Sequence, residues 1–97
     1  MAETIGPGSL KCVVALSSER SLRGALARAL GEHLSPSDIR PLGHDALLVY
    51  TEASTAEIRD WLAAALESGE SVFVCEFERW SARGPEIDRD WLRARGH

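Results

Sequence analysis

The chain is 97 residues long, 44% apolar and 27% charged, with a formal net charge of −4. That length builds one domain around one core, which excludes a substrate cleft between two domains. The acidic balance excludes a general nucleic-acid-coating protein, whose footprint is a broad basic face. It leaves room for a local patch, since ten of the eleven basic residues are arginine and Lys11 is the sole lysine.

Residues 1–9, MAETIGPGS, carry Gly6, Pro7 and Gly8 without periodicity and read as a flexible leader ahead of one domain over residues 10–97. Residues 11–16, KCVVAL, are apolar at consecutive positions, as in a central strand. From 21 to 34, Leu22, Leu26, Ala29, Leu30 and Leu34 fall at helical spacing. Ser18 is placed to cap that helix with its hydroxyl, and Gly24 and Gly31 each lower its propensity by up to about 1 kcal/mol.

A turn at Ser35-Pro36-Ser37 leads to a short strand over 39–42, a hairpin loop at Gly43-His44-Asp45 and a stronger strand over 46–51. Pro41 cannot donate to a ladder, so the shorter strand belongs at a sheet edge. Ser54 and Glu57 have the spacing of a capping box before Ile58, Leu62, Ala65 and Leu66, and Gly69 supplies a left-handed stop to that second helix. Residues 72–77 form a fourth strand with Phe73, Cys75 and Phe77 on one side, while Glu76 and Glu78 decorate the other. The last segment reads as a short amphipathic helix with Pro85 in its first turn, acids near its start, Arg93 and Arg95 near its end, and Ile87 and Trp91 on one stripe.

The order β-α-β-β-α-β with a helical tail is the ferredoxin-like, split βαβ arrangement, an α+β fold with a four-stranded antiparallel sheet in the order 4-1-3-2. Strands one and four are then antiparallel neighbours, which brings Cys12 and Cys75 close. With no metal-ligand spacing, both read as buried free thiols; an oxidised pair is the alternative, which a reducing cytosol disfavours. The longest apolar runs are far short of the roughly 20 residues that span a bilayer, and no charged leader precedes one. A cytoplasmic chain without membrane association is expected.

The stretch TEASTAEIRDWLAAALESGESVFVCEFERWSARG, through Thr51, Ile58-Arg59-Asp60, Leu62, Leu66, Val72-Phe73-Val74 with Glu76, Trp80, Gly84 and the terminal Trp91-Leu92, resembles the small SinR-like proteins, bacterial relatives of the CRISPR-associated Cas-two group. The resemblance spans residues 11–95 by element order, with its residue matches concentrated in 51–92. It implies a ferredoxin-like homodimer in which the fourth strand and a dimerisation segment over 79–97 meet a second copy. Phe77, Trp80, Ile87 and Trp91 are the candidate interface residues, since aromatic residues dominate interface anchors; the alternative is that Trp80 and Trp91 close the core of their own subunit. It also implies a defence or mobile-element context and a protein or nucleic-acid partner.

Family members with proposed metal-dependent nuclease activity carry an acid at the end of the first strand, after an aromatic residue. Here those positions hold Leu16 and Ser17, and a neutral hydroxyl does not replace a carboxylate ligand for magnesium. Neither a catalytic residue, a metal nor a cofactor is therefore assigned, and a non-catalytic interaction domain is the leading expectation. A rewired nuclease using Glu19 or Glu76 is one alternative, and a small-ligand regulatory domain at the dimer interface is another.

Other chemistries are weaker in the sequence. Ser17 and Ser18 lack a positioned base, since His33 ends a helix, His44 sits in the hairpin loop and His97 is terminal. Glu86, Asp88 and Asp90 complement a helix dipole. Sheet-based RNA reading needs exposed aromatics on central strands, and only Tyr50 qualifies. One anion or nucleic-acid contact remains as a candidate, formed by Ser17, Ser18, Arg20, Arg23, Arg79 and Arg83 around the start of the first helix.

Overall fold

The computed structural model describes residues 8–16 and 20–95. β1 (Ser9–Leu16) is followed by α1 (Arg23–Gly31), a 3-10 helix at Pro36–Asp38, β2 (Ile39–Leu42), β3 (Ala46–Thr51), α2 (Thr55–Ala63), β4 (Ser71–Phe77) and α3 (Arg89–Ala94). All pairings are antiparallel, in one open sheet ordered β2-β3-β1-β4, a list that runs 4-1-3-2 when taken from the other edge. The consecutive apolar residues of β1 thus sit between two partners, and Pro41 lies on the edge strand β2, where its missing N–H costs least. β1 begins at Ser9, opposite Thr51, two residues before the strand read from the sequence and within the segment read as leader.

One face of the sheet carries the larger core. Val13, Ala15, Leu47 and Val49 meet Leu22, Leu26 and Leu30 of the α1 segment and Ile58 and Leu62 of α2. Only residues at helical spacing reach this layer, as the period of 3.6 requires. α2 starts with a complete capping box: the Glu57 amide donates to Ser54 Oγ at 3.1 Å and the Ser54 amide donates to Glu57 Oε1 at 2.9 Å.

Both helices are shorter than their apolar spacing suggests. α1 has Leu22 at its cap position with no side-chain hydrogen bond, so the cap expected from Ser18 is corrected; Ser18 itself lies outside the described residues. The chain before α1 is held instead by Arg20, which grips the α2–β4 connection. α2 ends at Ala63, and its last turn tightens through Ala65 N–H to the Leu62 carbonyl at 2.9 Å and Leu66 N–H to the Ala63 carbonyl at 3.3 Å. Gly69, with φ of 85°, therefore shapes the turn into β4 and does not terminate the helix.

The opposite face of the sheet is half covered by the chain's own C-terminal segment. Leu10 and Leu48 are buried under Trp91 and Leu92, with Cys12, Leu42, Tyr50, Phe77, Trp80 and Ile87 packed around them. α3 starts at Arg89, later than Pro85, because Asp88 takes the cap position and its carboxylate accepts from the Trp91 amide at 3.0 Å. At its far end Arg95 donates to the Ser37 carbonyl and stacks 4.4 Å above the Trp91 ring. Trp91, expected at a dimer contact, is 5% exposed within its own chain.

Candidate functional site

Two members of the expected anion contact, Ser17 and Ser18, and the alternative ligand Glu19 lie outside the described residues. Arg20 donates to both carboxylate oxygens of Glu70, at 2.6 and 2.8 Å, and to the Ala65 carbonyl at 3.1 Å, with Glu67 Oε2 3.7 Å away. The hydrogen bond to Glu70 pushes its guanidinium pKa further up. Arg23 donates to the Gly43 carbonyl in the hairpin loop. Both side chains are thus turned onto their own fold.

Arg79 and Arg83 are exposed and form no ion pair among the described residues. Register also separates them from Arg20. Leu16 faces Ser71 and Leu10 faces Phe77, so Arg20 follows β1 at one end of the β1–β4 ladder and Arg79 follows β4 at the other. Two separate basic positions replace one patch.

The other sequence candidates are equally local. Glu76 lies 3.9 Å from Lys11 Nζ, and no group of three metal-ligating side chains occurs among the described residues. His33 stacks on Trp61 with centroids 4.1 Å apart and planes 2° from parallel, while His44 is exposed in the hairpin loop and His97 lies outside the described residues. Asp90 pairs with Arg93 at 3.9 Å and Asp88 with Arg40 at 3.4 Å.

Lys11 is a polar group the sequence reading passed over. It is 2% exposed on the α1/α2 face, where Nζ donates to Ser9 Oγ at 2.7 Å and the Thr51 carbonyl at 2.8 Å. Burial pushes its pKa down from the ordinary 10.5, and the charges of Glu76 and Glu57 oppose that shift. A buried ammonium persists only when such partners stand in for water. Its one sequence signal was a lone charge at the start of an otherwise apolar strand.

The more informative surface is the second face of the sheet. Where the C-terminal segment crosses it, Cys12, Leu42, Leu48, Phe77, Trp80, Ser81, Ala82, Ile87 and Leu92 line a largely apolar, partly open pocket of about 220 Å³. Trp80 Nε1 is buried without an acceptor among the described residues. Phe77, Trp80 and Ile87, expected to meet a second copy, line this pocket within their own chain.

Beyond the strap the same face is open. Phe73 is 58% exposed and Leu16 55% exposed, the two large apolar residues left uncovered among the described ones. Val14 lies opposite Phe73, and Leu16 follows on the same side by the two-residue period of the strand. Among the described residues β4 pairs with β1 alone, so its outer backbone edge has no strand partner there. A shallow groove of about 190 Å³ runs beside that edge, lined by Thr55, Ala56, Arg59, Val72, Phe73 and Val74.

Cys12 and Cys75 face one another in the β1–β4 register at the border between the covered and open halves. Both thiols are free and half-buried. Burial, and then the neighbouring Cys75, push the Cys12 thiol up from its ordinary 9.0. No helix among the described residues is long and apolar enough to cross a membrane. Comparison of the chain with protein-family models, curated proteins and solved structures finds no match in any of the three.

Proposed function

We propose that this chain is a non-catalytic, ferredoxin-like interaction domain of the Cas-two-like kind, working as a homodimer joined through β4 and the open half of the second sheet face. The observation that carries the reading is the exposure of Phe73 and Leu16 beside an unpaired strand edge. An exposed edge strand is a template for a further strand, and two copies related by a two-fold axis present the same edge to each other. Such pairing satisfies the outer amides and carbonyls of Ser71–Phe77 and removes Phe73 from water. The fourth strand is the element that the sequence resemblance also implies, whereas Trp91 is left out of this interface because it is buried within its own chain.

Arg79 and Arg83 follow β4 directly and would flank the dimer junction, where exposed guanidinium groups suit a phosphate backbone or an acidic protein surface. A bacterial, cytoplasmic defence or mobile-element setting accompanies this proposal through the family resemblance. Light scattering tests the dimer: wild type is expected at twice the chain mass at micromolar concentration, and Phe73→Asp at the chain mass. A wild-type monomer under those conditions overturns the reading.

A second reading is favoured by the pocket under the C-terminal segment. Its lining is mostly apolar and includes Trp80, whose buried Nε1 has no acceptor among the described residues. The space suits a compact apolar molecule that carries an acceptor. The regulatory ligand would then sit inside one protomer and not between two. Benzaldehyde, offered as a probe, should raise the melting temperature of wild type and not of Leu48→Trp, which fills the space.

A further inference from the structure

Cys75 lies on β4 and Cys12 lines the pocket, yet neither the dimer reading nor the ligand reading uses the chemistry of their thiols. Cys12 and Cys75 are the chain's two cysteines, 63 positions apart in sequence, yet they are direct partners across the β1–β4 ladder. Side chains alternate along a strand, so Cys12 shares its side with Val14 and Leu16, and Cys75 with Phe73 and Phe77. Both thiols therefore project from the second face. Each is half-buried, so part of its surface faces solvent.

We propose that Cys12 and Cys75 are a reversible redox site that closes to an intrachain disulfide with low-molecular-weight disulfides of the glutathione type. Direct antiparallel partners have Cβ atoms roughly 4.5–5.5 Å apart, against roughly 3.5–4.5 Å in a disulfide. Closure therefore needs the two Cβ atoms to draw together by about 2 Å at most. The strain this leaves makes the bond more reducible, the property of a regulatory disulfide and not of a structural one.

The exchange balances with the named oxidant. One cysteine thiolate attacks a sulfur of glutathione disulfide, forming a mixed disulfide and releasing one glutathione thiolate. The second cysteine gives its proton to solvent and attacks the protein sulfur of the mixed disulfide, releasing the second glutathione. Two protein thiols are oxidised and one glutathione disulfide is reduced to two thiols. Because burial keeps the Cys12 thiol protonated, the step in which Cys12 attacks speeds up as pH rises, since the thiolate is the nucleophile.

The bond would tie β4, the edge strand, to the central β1, beside Phe73 on the open face. This chemistry does not require the dimer, so its failure and that of the interaction reading are separable. The test is intact-mass measurement of the full chain in excess oxidised glutathione at mildly alkaline pH, followed by peptide mapping. A loss of two hydrogen masses, with Cys12 and Cys75 in one linked peptide pair and full return of both thiols on adding dithiothreitol, is the expected result. Cys75→Ser should instead stop at a glutathione adduct on Cys12 or remain unmodified. Two thiols still free after prolonged exposure, covalent cross-links between chains, or a stable mixed disulfide in the wild type would each overturn the proposal.

Discussion

Trp91 Nε1 donates to the Ser37 carbonyl at 2.7 Å, joining α3 to the 3-10 helix across 54 positions of sequence. That bond, with the Arg95 guanidinium stacked on the outer ring face and hydrogen-bonded to Ser37, fixes the C-terminal segment onto the second sheet face. It decides what remains available for a partner. The strap covers Leu10 and Leu48 and leaves Phe73 and Leu16 open.

Trp91→Phe keeps most of the apolar contact and removes the donor. Arg95 still serves the Ser37 carbonyl, so the cost should be that of one net hydrogen bond, about 1 kcal/mol. Trp91→Ala should cost about 3–5 kcal/mol, the range for truncating a buried large aromatic side chain. Urea unfolding measures both, and equal losses would contradict the split between bond and packing.

Ser54→Ala should destabilise the chain by about 1 kcal/mol, because the Glu57 amide loses its cap. Glu57→Ala removes the reciprocal bond to the Ser54 amide. Since the two bonds brace one turn, the double variant should lose less than the sum of the two single losses. Strict additivity in thermal or urea unfolding would show that the two bonds act separately.

Lys11 makes stability depend on alkaline pH. Its folded pKa lies below the ordinary 10.5, so between those values the unfolded chain binds more protons than the folded one. The penalty for burying the ammonium is complete at neutral pH and fades as pH rises to 10.5, and stability attributable to Lys11 increases over that window. The Cys12 thiol, shifted up from 9.0, acts in the opposite sense above that pH, so the comparison needs a matched variant. The unfolding free energy of wild type minus that of Lys11→Met should rise with pH and level off above 10.5; a flat or falling difference would contradict the burial account.

Much of the fold was legible because local signals agree with tertiary need. The consecutive apolar residues of β1 mark a strand with neighbours on both sides, Pro41 marks an edge, and Ser54 with Glu57 marks a helix start. Boundaries were less legible where a distant residue decides them. Nothing near residues 64–69 announces that Arg20 will take the Ala65 carbonyl and Glu70 just beyond the shortened α2. In residues 85–88 two start signals compete, Pro85 and the common cap residue Asp88, and the fold selects Asp88.

The candidate site was legible in composition and not in geometry. The alternation of Phe73, Cys75 and Phe77 is visible in the sequence, but which face it joins depends on register: Val72 and Val74 pack toward α1 and α2, and the aromatic side turns away. That Arg20 and Arg79 follow opposite ends of the ladder was already implicit in the antiparallel pairing expected for strands one and four; what the sequence did not show is that Arg20 and Arg23 turn onto Glu70 and the Gly43 carbonyl. Trp80 and Trp91 were visible as aromatic anchors, and only the folded tail shows that they anchor it to its own sheet.

The claim that β4 and the open half-face join two copies is tested most directly by amide hydrogen exchange at increasing protein concentration. The account predicts rising protection across Ser71–Phe77, no change at Ile39–Leu42 on the other sheet edge, and loss of the effect in Phe73→Asp. Exchange in β4 that is independent of concentration, or protection gained at β2 instead, would contradict it.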